Sequence, residues 1–225
     1  MILKIGKKIF KKLHPILKKL NEIYLSKPRN YSFDNIKITV NPGVFHPGLY
    51  YSTKIFLRFI DNNLPVAGKH VLELGCGSGL ISIYLAKKGA VATASDISEI
   101  AVDNARKNAE MNSVEIVTIV SDLFEKLNAS LFDFIFINPP YYPKNTQNKK
   151  EMAWFCGANF EYFHSLFKQL SESENLKAKI YMILSEDCNI QKIKGIAESY
   201  QTEMEIIFET KVRQEKNYIF SIKGK

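Results

Sequence analysis

The sequence predicts an α/β fold built on a doubly wound, mostly parallel sheet of seven strands, and three observations carry that prediction. From Lys69 onward, apolar strand-like runs near 69–74, 91–95, 115–120, 132–137 and 178–184 alternate with helix-patterned stretches near 79–88, 98–111 and 158–172. The first of these strands runs directly into a glycine-rich turn, Gly75-Cys76-Gly77-Ser78-Gly79. Two further strand-like runs, Glu203–Thr210 and Tyr218–Ile222, flank a charged turn containing Arg213 and Gln214, which reads as an antiparallel hairpin closing one sheet edge.

The segments ahead of Lys69 are of a different kind. Ile2, Leu3, Ile5, Ile9, Phe10, Leu13, Ile16, Leu17 and Leu20 fall on one arc of a helical wheel, and the lysines up to Lys19 fall opposite. This predicts an amphipathic helical arm over 1–30, kinked or restarted near His14 because Pro15 cannot occupy an unbroken helix interior. Residues 31–225 then form the main domain. Within it, 36–40 (IKITV) alternates as a short strand, the loop NPGVFHPG follows, and Tyr50–Ile60 has helical spacing that ends at Asn62-Asn63-Leu64-Pro65.

Charge is concentrated in the arm. Residues 1–30 carry nine Lys or Arg and one acid, Glu22, so this segment holds the whole net charge of +8. Such an arm packs its apolar stripe on its own domain, or it is drawn to a phosphate backbone or an anionic lipid surface. RNA or ribosome contact through residues 1–30 is therefore one expectation. A hydrophobic content of 46% and a charged content of 24% are those of an ordinary globular chain, without an apolar run long enough to span a membrane. No secretory signal is apparent at the start. Cys76, Cys156 and Cys188 lack pairing or metal-ligand spacing, which points to buried free thiols in a reducing cytoplasm and to no metal site. His14, His46, His70 and His164 do not cluster either.

Chemistry is expected at the carboxyl ends of the strands. Alternating glycines at Gly75, Gly77 and Gly79 let the backbone approach a ligand closely. Glu73, two residues earlier, can face the cationic amino-acid end of S-adenosylmethionine, and the GxGxG spacing differs from the GxGxxG of nicotinamide and flavin sites. Asp96, at the end of the second strand beside Ile97, can hold a ribose diol; alternatively it caps the following helix. Asp122, followed by Leu123, can hold an adenine amino group or serve only as a turn residue. The fourth strand ends in Asn138-Pro139-Pro140-Tyr141. Two prolines stiffen the backbone and remove donors, leaving the Asn138 carboxamide and the Pro139 carbonyl to accept hydrogen bonds from an amino group while Tyr141 stacks on it. Drawing on both hydrogens of a planar nitrogen would aim its lone pair at a sulfonium methyl, with positioning supplying most of the rate.

With these residues in hand, the sequence resembles the class I, Rossmann-like S-adenosylmethionine-dependent methyltransferases that carry an NPPY motif. That group includes release-factor glutamine methyltransferases and related ribosomal-RNA and tRNA base enzymes. The resemblance covers roughly residues 40–222 and rests on ELGCGSG (73–79), SDIS (95–98), SDLF (121–124) and NPPY (138–141). It implies cofactor contacts at Gly75, Gly77, Asp96, Asp122 and Asn138, and substrate-nitrogen contacts at Asn138, Pro139 and Tyr141. Residues 154–163 are similar to the region after NPPY in the glutamine enzymes, with Cys156 where a glycine is usual. Pro42-Gly43-Val44-Phe45 is similar to a segment of guanine-modifying ribosomal-RNA enzymes. The expected substrate is thus a protein glutamine of release-factor type, with an RNA base amine as the alternative. A nicotinamide-dependent oxidoreductase would leave NPPY unexplained. Phe45, His46 and Tyr50–Thr53 are candidates for a lid, and Trp154 either lines the pocket or anchors its loop.

Overall fold

The computed structural model describes residues 24–145 and 154–224. The predicted arm lies largely outside the described residues; from its end, Arg29 and Asn30 open strand β1 (Arg29–Phe33). β1 pairs antiparallel with β2 (Ile36–Val40) across a tight turn in which Asp34 adopts a φ of 48°. β2 buries Ile36, Ile38 and Val40 and turns Lys37 and Thr39 outward, as its alternation predicts. β1 escaped sequence reading because RNYSF has too few apolar residues to show a period.

Helix α1 (Ser52–Asn63) follows, buried along Ile55, Phe56, Phe59 and Ile60, and it stops where Pro65 forces Leu64 into an extended conformation. The main sheet contains β3 (His70–Leu74), β4 (Val91–Asp96), β5 (Val117–Val120), β6 (Phe134–Ile137), β7 (Lys179–Ser185), β8 (Thr202–Val212) and β9 (Glu215–Gly224). Their order is β5-β4-β3-β6-β7-β9-β8, parallel from β5 to β7. β9 is antiparallel to both β7 and β8. The predicted seven-stranded sheet with its edge hairpin is borne out. Helices α2 (Leu80–Lys87), α3 (Glu99–Met111), α4 (Glu161–Ser171) and α5 (Ile190–Ser199) complete the described elements, with one short 3-10 turn at Ala129–Leu131. Helix α5 was not predicted. Its signals are the Asn189 cap, which accepts from the Lys192 N–H, and buried Ile193, Ile196 and Ala197; Gly195 and the interspersed charges dilute them.

Alternation in the central strands divides the core in two. In β6, Phe134 and Phe136 join the cluster under α1 and α2, while Ile135 and Ile137 join the cluster under α4 and α5. Helices therefore cover both faces, and the sheet reads as nearly continuous apolar runs. Phe56 of α1 meets Phe136 edge-on, with ring centroids 5.7 Å apart.

A ladder of asparagines fixes the β1–β2 hairpin to this frame. Asn104 and Asn108 of α3 and Asn112 at its C-cap lie four residues apart. Their carboxamide oxygens accept the backbone N–H groups of Asn41, Thr39 and Lys37 at 3.0, 2.9 and 3.1 Å. Their amide nitrogens return hydrogen bonds to the carbonyls of Thr39, Thr39 again, and Lys37. The spacing works because four helical residues rise ~6 Å and two strand residues rise ~6.6 Å. The helix thus presents side chains to β2 at the interval where a neighbouring strand would present its backbone. Asn108 also donates to the Ser78 carbonyl at 2.9 Å, joining the hairpin to the glycine loop. Asn108→Ala should lower folding stability by about 2–4 kcal/mol, because it strands the Thr39 N–H and the Ser78 carbonyl. Chemical denaturation of the two proteins measures this.

Candidate active site

Four loops at the carboxyl ends of β3, β4, β5 and β6 converge beside the point where the chain, having built β4 and β5 on one side of β3, returns to place β6 on the other. Crevices at such switch points are where open α/β sheets bind ligands. A cavity of about 350 Å³ lies there.

The glycine loop is held from β4. The Gly75 and Cys76 N–H groups both donate to the Ser95 carbonyl at 2.8 Å. Gly75 has a φ of 78°, and a β-carbon built there meets nothing within 4 Å. Its requirement is conformational, and the space in front of it is left for a ligand. Gly79 does something else. Its φ is 76°, and a β-carbon would stand 2.7 Å from Ala105 Cβ, so this glycine lets the loop sit against α3. Gly79 is not among the cavity-lining residues, a difference from its predicted part in cofactor binding.

Asp96 organises the next loop. One carboxylate oxygen accepts the Gly77 N–H at 3.0 Å and the other accepts the Ser98 N–H at 2.9 Å. The cap of α3 is Ser98, whose hydroxyl accepts from Ala101, and not Asp96. Asp96 faces the cavity with lone pairs still open to a diol. Burial pushes its carboxyl up, against three backbone N–H donors that pull it down.

Glu73 is only 5% exposed. Its Oε2 accepts the Ser82 N–H at 2.8 Å and the Ser82 hydroxyl at 2.6 Å, doing for the first turn of α2 what Gly79, lacking a side chain, cannot. Burial raises its pKa from the ordinary 4.5 to about 8, so without a cation beside it Glu73 keeps its proton at neutral pH. A proton held by the folded state and lost by the unfolded chain makes stability fall as pH rises between those two values. The cofactor-free protein should lose stability from about pH 5 to 8 at up to about 1.4 kcal/mol per pH unit, and Glu73→Gln should flatten that slope. Denaturant midpoints measured across this range test it.

Glu73, Gly75, Gly77, Asp96, Ile97, Asp122, Leu123, Asn138, Pro139 and Pro140 all line the cavity. Tyr141 does not. It packs in the α4–α5 cluster with its ring centroid 4.8 Å from that of Tyr142, away from the stacking position expected of it. Aromatic surface in the cavity comes from Phe45 and from Phe155 and Tyr162, which sequence reading did not assign to the site. Tyr142 and Phe155 form a parallel bridge, which brings Phe155, Cys156 and Gly157 to the wall. Burial, reinforced by Asp96 and Asp122, holds the Tyr162 hydroxyl well above its usual range, so it stays a neutral donor. Phe45 stacks on Tyr50 at 4.8 Å, and the Trp154 side chain is hydrogen-bonded to Tyr50. Trp154 is therefore an anchor between the two loops and does not line the cavity. His46, one of the lid candidates, is buried against Tyr31 and is not among the cavity-lining residues.

Asn138 is gripped from outside the sheet. Its Nδ2 lies 3.3 Å from Ser52 Oγ and 3.2 Å from Thr53 Oγ1, at the start of α1. Among the described residues no donor meets its carboxamide oxygen, and the residue borders the cavity.

A Rossmann-like sheet whose glycine loop, acidic strand ends and Asn-Pro-Pro turn share one cavity defines a class of nucleotide-cofactor enzymes. The model of the methyltransferase small domain matches residues 35–159, more than half of the chain, and the chain belongs to that family. The expectation of a methyltransferase is thereby borne out. The "Putative protein N5-glutamine methyltransferase" of Methanocaldococcus jannaschii is 43% identical over 105 residues, which are 46% of this chain and 53% of that protein. The chain thus spans about half the length of that curated relative. Two solved structures share the fold at 18% identity and a TM-score of 0.61. The 16S rRNA N2 G1207 methyltransferase of T. thermophilus, with AdoMet and guanosine, matches over 87% of this chain and 50% of its own. The E. cuniculi Mtq2–Trm112 complex, described as methylating the eRF1 translation termination factor, matches over 81% and 99%.

S-adenosylmethionine is the methyl donor of this family, and the cavity suits it. Its glycine floor is open, and Glu73, Asp96 and Asp122 supply carboxyl groups for a ligand bearing an ammonium, a sulfonium, a ribose diol and an adenine amine. No helix among the described residues is long and apolar enough to cross a membrane. All three cysteines are free and buried.

Proposed function

We propose that the protein is an N-methyltransferase whose acceptor is the planar amide nitrogen of a protein glutamine. The observation that carries this reading is Asn138-Pro139-Pro140 on the cavity wall, after the end of β6, with the Asn138 amide nitrogen engaged by Ser52 and Thr53 and its carboxamide oxygen meeting no donor among the described residues. The cofactor supplies a methyl group activated by the sulfonium. Asp96 and the glycine loop hold the ribose end, Glu73 and the loop the amino-acid end, and Asp122 the adenine. The Asn138 oxygen and the Pro139 carbonyl accept the two hydrogens of the incoming nitrogen and return electron density to it. Phe45, Phe155 and the Tyr50–Trp154 contact hold water away, which strengthens those hydrogen bonds. In the displacement the N–C bond would form as the S–C bond breaks, the sulfur keeping that electron pair, and the nitrogen would release one of its two protons to solvent, so the rate depends on alignment.

Glutamine is favoured by the 43% identity to a chain named for N5-glutamine methylation. A second reading, methylation of an RNA base amine, draws on the resemblance of the PGVF segment to guanine-modifying enzymes and on the basic residues of the arm. Labelled S-adenosylmethionine offered in parallel to release-factor preparations, ribosomes and tRNA separates the two. The proposal expects N5-methylglutamine on hydrolysis of the labelled factor. Label confined to RNA establishes the second reading, and label on oxygen or carbon overturns both.

A further inference from the structure

A carboxamide has two ends of nearly equal size and opposite hydrogen-bonding sense, so an asparagine that must accept is useful in only one of its two orientations. We infer that Ser52 and Thr53 are positioning residues that anchor the Asn138 side chain from behind, with the chemistry of the cavity deciding which end of the carboxamide faces it, an inference that rests on the reading of Asn138 as the acceptor for the substrate nitrogen. The two hydroxyls are adjacent in the first turn of α1, each on a residue 4% exposed. Among the described residues, neither hydroxyl bonds to any group other than Asn138. Both lie within hydrogen-bond reach of the same atom, Asn138 Nδ2, at 3.3 and 3.2 Å. An amide nitrogen has two hydrogens, and here each has one acceptor.

The alternative orientation carries a specific penalty. With the amide reversed, the NH2 group would face the cavity, where it would meet an amino donor of the substrate and the positive sulfonium of the cofactor. Neither can accept a hydrogen bond. The pair of hydroxyls acts from 85 and 86 residues away in sequence, through the first turn of a helix whose apolar face is locked on the sheet. Removing one hydroxyl leaves one amide hydrogen unpaired, and removing both leaves the nitrogen without any partner seen among the described residues.

Two readouts test this in the full chain. In protein labelled with 15N-asparagine, the side-chain NH2 pair of Asn138 is identified by its absence in Asn138→Ala. In Ser52→Ala/Thr53→Val that pair should shift and exchange with water about 10-fold faster, the backbone spectrum of the sheet staying in place. Affinity for S-adenosylhomocysteine should stay within threefold. With the substrate that wild type labels among release factor, ribosomes and tRNA, kcat should fall about 10- to 100-fold at unchanged KM for the cofactor, the loss expected of one or two hydrogen bonds. Thr53→Ser, which keeps the hydroxyl, should recover the resonance and the rate that Thr53→Val loses. If the double variant does not fold, the single variants carry the same expectation at smaller amplitude. An unmoved Asn138 NH2 pair overturns the inference, as does an unchanged kcat where a substrate is found. If wild type labels none of the three substrates, the proposed function fails while the NMR readout still decides the positioning.

Discussion

Asn138→Ala should lower turnover by about 10²- to 10³-fold while affinity for S-adenosylhomocysteine stays within several-fold, the size of effect seen when one preorganised hydrogen-bonding group is removed from a reacting centre. The reason is where the residue stands. It directly follows β6, a strand buried on both faces between β3 and β7, which holds its backbone in place. Its side chain is tied to α1. An alanine there should leave the strand, the prolines and the glycine loop in place, and it takes away the acceptor proposed for the substrate nitrogen together with the tie to α1. The loss should therefore fall on kcat and not on cofactor binding. Single-turnover rates, with calorimetry for the cofactor, measure the two separately. Full retained activity would remove Asn138 from the mechanism.

Asp96→Ala should act on the other quantity, weakening S-adenosylhomocysteine binding by about 100-fold or more. Two effects combine. The acceptors proposed for the ribose diol are lost, each such hydrogen bond contributing about 1.5–3 kcal/mol. The loop also loses its clamp, because the carboxylate that would hold the diol already receives the Gly77 and Ser98 N–H groups. Freed, Gly77 no longer has a fixed distance from the start of α3, and the floor of the cavity loosens before any ligand arrives. Asp96→Asn should recover part of the affinity, since an amide oxygen still accepts one of those N–H groups. Had Asp96 been only a helix cap, its removal would cost stability and spare affinity; Ser98 already holds that position.

Much of this site was legible because its residues sit where strand physics puts them. Apolar runs ending in Gly75, Asp96, Asp122 and Asn138 had to be parallel neighbours, and their ends had to meet. What sequence reading missed depends on contacts between distant segments. The asparagine ladder is visible as Asn104, Asn108 and Asn112 on one helical face, yet nothing local shows that a strand edge waits opposite. Ser52 and Thr53 look like ordinary first-turn residues until α1 is laid beside β6. Tyr141 was assigned a stacking role from its place in the tetrapeptide, but the chain turns at Pro139-Pro140 and seats its ring in the α4–α5 core. Phe155 and Tyr162 take the aromatic part in the cavity from a loop whose return to the site is fixed by the Tyr142–Phe155 bridge. Strand β1 and helix α5 were missed because polar and charged residues dilute their periods.

Every role proposed above places the methyl donor in the cavity between the glycine loop and Asn138. Thermal unfolding with S-adenosylhomocysteine and, separately, with NAD tests it most directly. At 100 times its dissociation constant, a ligand bound only to the folded state adds about 2.7 kcal/mol, which for a chain of this size raises the melting temperature by about 5–10 °C. S-adenosylhomocysteine should produce that shift in the wild type and in Asn138→Ala, and far less in Asp96→Ala, while NAD leaves all three unmoved. Equal or greater stabilisation by NAD would contradict the account.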